Sequence, residues 1–311
     1  MIARAETVMS ESKPRAARFI PFSALLFGAL WAWAIWSCAE HWRGNPNYSY
    51  GWIVPPLALG FGLRRFWEMR RSETSEDRSS VRDQPLLGLI ALSVLFAVSV
   101  CALEFARQEI WHPEIVLWTI CLLAVFGGLT VFALTSGFRF GRALFFPAAF
   151  FLTAVPWPPR FEQPLTGVLM RWVAEATAEL LHWLGIEAQT SGAAIALQSG
   201  MVGITEACSG VRSLQAGIMF GLAMGEWFML RPLRRLVLLA IAILLALLTN
   251  LGRTIALSLQ AEWHGVASVA AVHDTIGNIM VTALVVGIWF AGKILGPRVS
   301  QRALVTLAEI R

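Results

Sequence analysis

The sequence predicts an all-α polytopic membrane protein with about eight transmembrane helices, an amphipathic helix on the outer face and a short extracytoplasmic β-hairpin. Its 311 residues are 57% hydrophobic and 14% charged, and the mean hydropathy is +0.62. A helix that spans a bilayer needs about 20 apolar residues, so this composition provides for about eight spans and little else. It excludes a secreted, disordered or nucleic-acid-binding protein. We therefore expect one integral membrane domain over residues 1–311, with its core at about 20–295.

The apolar runs and the basic residues together predict the topology. Of the 25 basic residues, 23 are arginines scattered between apolar runs, which is typical of membrane topology rather than of a nucleic-acid surface. With eight crossings, 19 of the 25 lie on the cytoplasmic side, against 16 if the short, proline-bearing fifth run turns back. The positive-inside rule favours eight crossings, with both termini and the loop 64–84 cytoplasmic and residues 160–212 extracytoplasmic. The runs fall at about 19–38, 46–63, 85–103, 114–135, 143–159, 213–230, 236–258 and 274–294.

The extracytoplasmic segment has two patterns of its own. Residues 161–184 carry an apolar stripe at helical spacing, which includes Phe161 and Trp172, opposite a polar face that includes Glu175. This pattern predicts an amphipathic helix that lies in the outer interface or packs on the bundle. A lateral gate for an incoming substrate helix is the alternative. Residues 186–206 alternate around three glycines, which predicts the β-hairpin.

Polar residues in the seventh apolar run are the first functional signal. Asn250 and Arg253 are three residues apart, so both project from one face of the helix. Arg253 lies about 9 Å below the outer end of the run at 1.5 Å per residue, where an unpaired guanidinium is costly. It must face the bundle interior or a water-filled cavity, either as a catalytic charge or as a structural strut.

Cys208 is the cysteine that lies in a polar stretch. It follows Glu206 in a glycine-containing segment just before the sixth run, where a helix N-terminus favours the thiolate. Arg212 adds positive potential, and a structural cysteine is the alternative interpretation. The four cysteines have neither a CxxC pair nor zinc-type spacing, so the sequence predicts no metal site. They are Cys38, Cys101, Cys121 and Cys208.

His273 is the candidate proton carrier at the same depth. It is followed by Asp274 at the start of the eighth run, and a neutral imidazole takes and returns protons near pH 7. His264, nine residues earlier, is the competing candidate, and a helix-capping role is the alternative. Together with Cys208 and Arg253, a histidine here completes the set needed for acyl transfer: nucleophile, base and oxyanion clamp.

These motifs, in their order along the chain, resemble the exosortase/archaeosortase family. The likeness covers about residues 20–295 and includes a Tyr-Ser-Tyr-Gly entry to the second run and a proline-rich segment before the amphipathic helix. Tyr50 departs from the pattern, because the family often has histidine there. The eighth run lies close to the C-terminus, so we expect no additional C-terminal domain of the kind that some members carry. The core motifs are Glu206-Ala207-Cys208-Ser209-Gly210-Val211-Arg212-Ser213, Asn250-Leu251-Gly252-Arg253 and His273-Asp274.

The resemblance implies a cysteine transpeptidase of the bacterial cytoplasmic (inner) membrane, with its active site on the extracytoplasmic side. Its substrates are expected to be secreted proteins that end in a PEP-CTERM-like motif, a transmembrane helix and a basic tail. Carried over by motif, Cys208 is the nucleophile, Arg253 the electrostatic stabiliser and His273 the proton-transfer partner. The supporting residues are Glu206, Arg212, Asn250 and Asp274.

The acceptor of the cleaved protein is left open by the sequence. A lipid or glycan is one possibility, and water, which would make the protein a simple cysteine protease, is another. No metal, organic cofactor or nucleic acid is expected. A non-enzymatic membrane component of exopolysaccharide or protein export, with Arg253 and Asn250 as structural residues, is the rival of a different class. A secondary transporter would usually show inverted repeats, and none is visible.

Overall fold

The computed structural model describes residues 20–71, 113–136, 138–203 and 209–296. Within these ranges the chain is mostly helical, with one small antiparallel sheet. The α-helices are α1 (Ile20–Gly44), α2 (Val54–Arg71), α3 (Pro113–Ser136), α4 (Phe138–Phe150), α5 (Pro159–Trp183), α6 (Val211–Trp227), α7 (Pro232–His264) and α8 (Val269–Leu295). The strands are β1 (Ala188–Ser191), β2 (Ala194–Leu197) and β3 (Gly200–Gly203). Short 3₁₀ segments occupy Pro46–Ile53, Phe151–Ala154 and Val266–Ser268.

Each predicted apolar run in the described ranges corresponds to an α-helix, and the third run, 85–103, lies outside them. Pro232–His264 and Val266–Leu295 are long and apolar enough to cross a membrane. Phe138–Ala154 and Pro159–Trp183 meet that requirement as a pair, but they are bent by 69°, as in a broken span or a re-entrant loop. The helical architecture is therefore confirmed, whereas the total of eight crossings stays a prediction.

The second run differs from its predicted form. Its first residues adopt the 3₁₀ segment, and Pro55 and Pro56 lie in the first turn of α2, where a missing N–H costs nothing and no kink results. Helix α2 then continues to Arg71, well into the range predicted as the loop 64–84. Arginines and glutamate stabilise this extension, since Arg64 and Glu68 pair at helical spacing. The remainder of that loop lies outside the described residues.

The bend between α4 and α5 is caused by prolines and is compensated by aromatic donors. Prolines 156, 158 and 159 provide no N–H groups, so carbonyl oxygens before and within the break have no helical partner. Three side chains donate hydrogen bonds to these oxygens. They are Trp42 Nε1 to Ala154 O at 2.8 Å, Trp118 Nε1 to Pro156 O at 2.8 Å and Tyr50 Oη to Thr153 O at 3.2 Å.

Helix α5 forms where the sequence predicts it, but it packs with a different face. The residues buried against the rest of the protein are Val173, Ala174, Thr177, Ala178 and Leu181. The large apolar residues of the predicted stripe, among them Phe161 and Trp183, are exposed. Small residues allow the helix to approach its neighbours closely, while large apolar side chains on the opposite face are suited to lipid. The exposed face of α5 is therefore apolar and aromatic, which suits contact with lipid.

The predicted hairpin is a three-stranded antiparallel sheet in the order β1-β2-β3. Ser191 pairs with Ala194 and Leu197 pairs with Gly200, so each connection is a two-residue turn. Gly192 occupies the left-handed region in the first turn, with φ +63°, which glycine adopts without strain. Ile195 and Val202 are buried between the sheet and helices α5 and α7.

Helices α6 and α7 are in very close contact through a glycine stripe that the sequence analysis did not use. Gly217, Gly221 and Gly225 are spaced four residues apart on α6. A Cβ atom at Gly217 would lie 3.0 Å from Ala246 Cβ, and one at Gly221 would lie 2.9 Å from Ala242 Cβ. Such small-residue contacts are typical of helix packing in membranes, where van der Waals contact replaces the hydrophobic effect. They fix α6 against α7.

A buried ion cluster holds the far end of this helix pair. Glu226 at the end of α6 is 2% exposed and accepts from two arginines. Arg65 of α2 contacts it at 2.6 Å through Nε and 3.2 Å through Nη2, and Arg235 of α7 contacts it at 2.7 Å. The Arg235 guanidinium also lies 5.0 Å from the ring centroid of Phe146 in α4. One carboxylate thus joins three helices.

We predict that Glu226→Gln lowers the unfolding midpoint strongly, because it leaves Arg65 and Arg235 close together without an anion. Removing one member of a buried ion cluster costs about 3–5 kcal/mol. The measurement is thermal unfolding of the detergent-solubilised protein. Glu68→Gln is the matched control, since it removes an exposed carboxylate from a pair worth at most about 1 kcal/mol. Equal midpoints for the two variants would contradict the structural role of Glu226.

Candidate active site

Two of the three predicted catalytic residues contact each other. Arg253 Nη2 lies 3.0 Å from His273 Nε2, although the two residues are 20 positions apart. Arg253 projects from α7 eleven residues before its end, and His273 lies near the start of α8. Because α7 and α8 form an antiparallel pair joined by a short 3₁₀ connection, the end of one helix meets the beginning of the next. The convergence expected from helix depth is therefore present for this pair.

The tautomer of His273 follows from its two neighbours. A guanidinium has only N–H donors, so the Nε2 atom that faces Arg253 accepts and the proton resides on Nδ1. Nδ1 lies 3.0 Å from Asp274 Oδ1, which accepts this proton in a hydrogen bond. The side chain of Asp274 is 96% exposed, whereas that of His273 is 31% exposed. The lone pair needed for proton transfer is thus on the nitrogen that Arg253 contacts.

Gly277, which the sequence analysis missed, provides the surface on which Arg253 lies. A Cβ atom at Gly277 would be 3.3 Å from Arg253 Nη2, 3.4 Å from Cζ and 3.6 Å from Nε. The guanidinium therefore lies across the backbone of α8, one turn after His273. The spacing of four residues between His273 and Gly277 is the signal that could have indicated this.

Asn250 connects the Arg253 face of α7 to the beginning of α6. Its side chain is buried, and a Cβ atom at Gly210 would lie 2.8 Å from Asn250 Nδ2. Gly210 precedes α6 in the left-handed conformation, with φ +92°. Both the close approach and the positive φ require glycine there. Asn250 therefore packs against the backbone that follows the predicted nucleophile by two residues.

Cys208 and Glu206 lie in the segment 204–208, outside the described residues. The chain is described again from Ser209, which is buried and whose Oγ accepts from Val211 N at 3.3 Å. In the sequence, Cys208 immediately precedes this serine and comes two residues before Gly210, against which Asn250 packs. The predicted catalytic role of Cys208 and the supporting role of Glu206 stay predictions.

The remaining candidates lie apart from the Arg253–His273 contact. Arg212 is exposed and donates from Nη2 to Ser49 Oγ at 3.4 Å, in the 3₁₀ segment Pro46–Ile53. His264 is an exposed residue at the end of α7. Of the two competing histidines, His273 is the one with the described contact to Arg253.

A buried polar cluster centred on Tyr48 lies beside the start of α6. The Tyr48 hydroxyl accepts from Trp157 N at 3.0 Å and from Gln215 Nε2 at 3.2 Å. Gln215 is 2% exposed and lies seven residues after Cys208. The cluster ties the 3₁₀ segment Pro46–Ile53 to the proline-rich segment and to α6. A glutamine among the largely apolar residues of α6 was the available sequence signal.

The described part of the chain contains no candidate metal site. No three His, Cys, Asp or Glu side chains there are close enough to one another to hold an ion. The pair Cys38 and Cys121 lies in the helical core, with sulfur atoms 3.5 Å apart and both side chains buried. These two cysteines contribute to the packing between α1 and α3. In the sequence they are more than 100 residues before Arg253 and His273.

Comparison with known proteins gives one match. No curated protein and no solved structure was found to be similar to the chain. Residues 42–290, about four fifths of the sequence, match the family described as transmembrane exosortase (Exosortase_EpsH). The matched range extends from the end of α1 into α8 and contains every motif on which the resemblance was based. This membrane protein therefore belongs to the transmembrane exosortase family.

Proposed function

We propose that the protein is a membrane-embedded cysteine transpeptidase that removes the C-terminal sorting signal of secreted proteins. Cys208 is the nucleophile, and the signal is a PEP-CTERM-like motif followed by a transmembrane helix and a basic tail. Membership of the exosortase family supports the general class. The observation that carries the chemical assignment is the 3.0 Å contact between Arg253 and His273, which pairs a charge donor with a base at one end of the bundle.

The substrate is expected to enter the bilayer beside the bundle, with its basic tail in the cytoplasm. This orientation brings the peptide bond ahead of its transmembrane helix to the extracytoplasmic interface, at the level of Cys208. The positive-inside distribution of the basic residues supports the assignment of that side. The exposed apolar face of α5 offers a lipid-facing surface at the same end of the protein.

The first half-reaction forms a thioester. His273 Nε2 takes the Cys208 thiol proton, and the thiolate adds to the scissile carbonyl carbon. Because Nε2 contacts Arg253 in the resting geometry, the guanidinium must move from the imidazole to the developing oxyanion as the proton is taken. When the intermediate collapses, the C–N bond breaks and the imidazolium protonates the leaving amine. Arg253 stabilises the negative oxygen throughout.

The second half-reaction releases the substrate to its acceptor. An amine or hydroxyl group, on a lipid or a glycan, loses its proton to His273 and adds to the thioester carbonyl. The C–S bond then breaks and the proton returns to the thiolate. Asp274 holds the His273 tautomer through Nδ1, and Asn250 fixes the backbone that leads from Cys208 into α6. Glu206 and Arg212 are proposed to modulate the local charge.

Substitution of Cys208 tests the nucleophile. We predict that Cys208→Ala and Cys208→Ser both abolish processing, because neither side chain forms a thioester. The measurement is the mobility shift of a secreted reporter from the same cell that ends in a transmembrane helix and terminal arginines. Mass spectrometry of the new C-terminus then separates ligation from hydrolysis. Normal processing in both variants, at normal abundance, would favour the non-enzymatic export component.

Substitution of the two histidines tests the base. We predict that His273→Ala lowers the processing rate by about 10²–10⁴-fold, the usual contribution of general acid–base catalysis. His264→Ala is the matched control and is expected to leave the rate unchanged, since that side chain is exposed and lies at the end of α7. A larger loss in His264→Ala than in His273→Ala would reverse the assignment.

Gly277 tests the placement of Arg253. We predict that Gly277→Ala lowers kcat about tenfold. The added Cβ atom would lie 3.3 Å from Arg253 Nη2 and would shift the guanidinium away from the α8 backbone. The same change adds helix propensity worth up to about 1 kcal/mol, so the unfolding midpoint is expected to hold or rise. Gly252→Ala is the control, since its Cβ would meet only Met280 at 3.7 Å. Equal kcat values for the two variants would show that the position of Arg253 on α8 is unimportant for the reaction.

A further inference from the structure

One edge of strand β3 pairs with no other strand in the described ranges, and the reaction scheme above does not use it. We propose that this edge binds the extended stretch of the substrate that precedes its transmembrane helix, by addition of a fourth strand to the sheet. The inference rests on the proposed function, because it identifies where the peptide to be cleaved is held. It concerns backbone recognition and is independent of which side chains the sorting motif contains.

The register of the sheet identifies the backbone groups that face this edge. The two-residue turns are closed by the pairs Ser191–Ala194 and Leu197–Gly200. Closing pairs of this kind exchange hydrogen bonds, and bonded and non-bonded pairs alternate along an antiparallel ladder. Gly200 and Val202 therefore face β2, whereas the N–H and C=O groups of Met201 and Gly203 point away from it. Among the described residues, no strand pairs with them.

The composition of β3 does not protect it from pairing. Natural edge strands are protected by very short length, by a covering segment or by their residues, which include lysine, proline, an inward-pointing charge and a bulge. Strand β3 is short, at four residues, but it reads Gly-Met-Val-Gly and contains none of these protective residues. Its Val202 side chain is buried, and Met201 is 59% exposed on the other face. The opposite edge of the sheet, β1, is polar by contrast and reads Ala-Gln-Thr-Ser. An uncharged edge with a regular register is a template for another extended chain.

The same strand is fixed rigidly to the part of the bundle that carries the reactive pair. Ser199, in the turn before β3, donates its N–H to Glu262 Oε2 of α7 at 3.3 Å. A Cβ atom at Gly200 would lie 3.0 Å from Val266 Cγ2, in the connection between α7 and α8. His273 follows Val266 by seven residues, at the start of α8. The edge is thus anchored at the end of the bundle where Arg253 and His273 meet.

The chain leads from this edge directly to the proposed nucleophile. Cys208 is five residues after Gly203, so it lies within about 18 Å of the end of the strand at 3.3–3.6 Å per residue. A peptide bond is attacked when its backbone is extended and accessible, which is the conformation that strand addition imposes. Binding through main-chain groups at Met201 and Gly203 therefore holds an extended segment within the reach that this five-residue connection sets for Cys208.

The first test removes a main-chain donor from the edge. Met201→Pro deletes an N–H that faces away from β2, and proline is tolerated at such edge positions. We expect KM for the reporter substrate to rise about tenfold, with an unchanged unfolding midpoint. Thr190→Pro is the matched control, because the Thr190 N–H faces away from β2 on the β1 edge by the same alternation. Met201→Ala, which keeps the N–H, is expected to resemble the wild type. An unchanged KM in Met201→Pro would overturn the proposal.

The second test reports binding without chemistry. Met201→Cys is combined with Cys208→Ala, and single cysteines are placed at successive positions of the reporter ahead of its transmembrane helix. Strand addition predicts that disulfide crosslinks under mild oxidation rise and fall with a period of two residues. The parent with Met201 intact is the background control. A smooth profile or an absence of crosslinks overturns strand addition.

The two proposals fail in different ways. If Cys208 is not the nucleophile, Cys208→Ser continues to process the reporter, and the periodic crosslinks at position 201 still report edge binding. If Cys208 is essential and the crosslinks show no period, the edge proposal alone is wrong.

Discussion

The charge of Arg253 is the constraint around which the C-terminal half of the protein is organised. A guanidinium on an apolar helix cannot face lipid without a large cost, so α7 must turn this face towards polar groups. Helix α8 supplies His273 and, one turn later, the bare backbone of Gly277. On the same face of α7, Asn250 packs on Gly210 ahead of α6. Arg253, which is partly buried, and the buried Asn250 thereby connect α7 to α8 and to the start of α6.

The opposite end of these helices is fixed by a second set of charges. Glu226 joins α6 to α2 through Arg65 and to α7 through Arg235. The glycine stripe of α6 lies between this ion cluster and the end of the helix that contacts Asn250. Glycine contacts leave little freedom for sliding, because the backbones already touch. The separation of the reactive end from the ion cluster is therefore set by helix length rather than by loops. This rigidity keeps Arg253 within reach of His273.

The sequence predicted the helices and a common depth for Arg253 and His273, with His264 as a competing candidate, because these features follow from rules that act along one chain. Apolar periodicity locates helices, and rare ionisable groups in apolar runs indicate sites. Packing partners could not be obtained in this way. Gly277, Gln215 and Glu226 act through neighbours more than sixty residues away or on another helix, and the sequence did not show which residues of α5 face the bundle. In a membrane, the large apolar face points outward and the small residues face the protein.

The irregular backbone supports the proposal that the end of the bundle with Arg253 and His273 lies at a membrane surface. The 3₁₀ segment Pro46–Ile53, the break between α4 and α5, the sheet and the α7–α8 connection are linked by contacts to the same end of the bundle as His273. Non-helical backbone is not tolerated against hydrocarbon, so these segments require protein partners or water. The aromatic donors at the α4–α5 break meet part of that need, and the interface meets the rest. In the proposed reaction, a peptide bond that leaves a membrane helix becomes accessible at such an interface and meets Arg253 and His273 there.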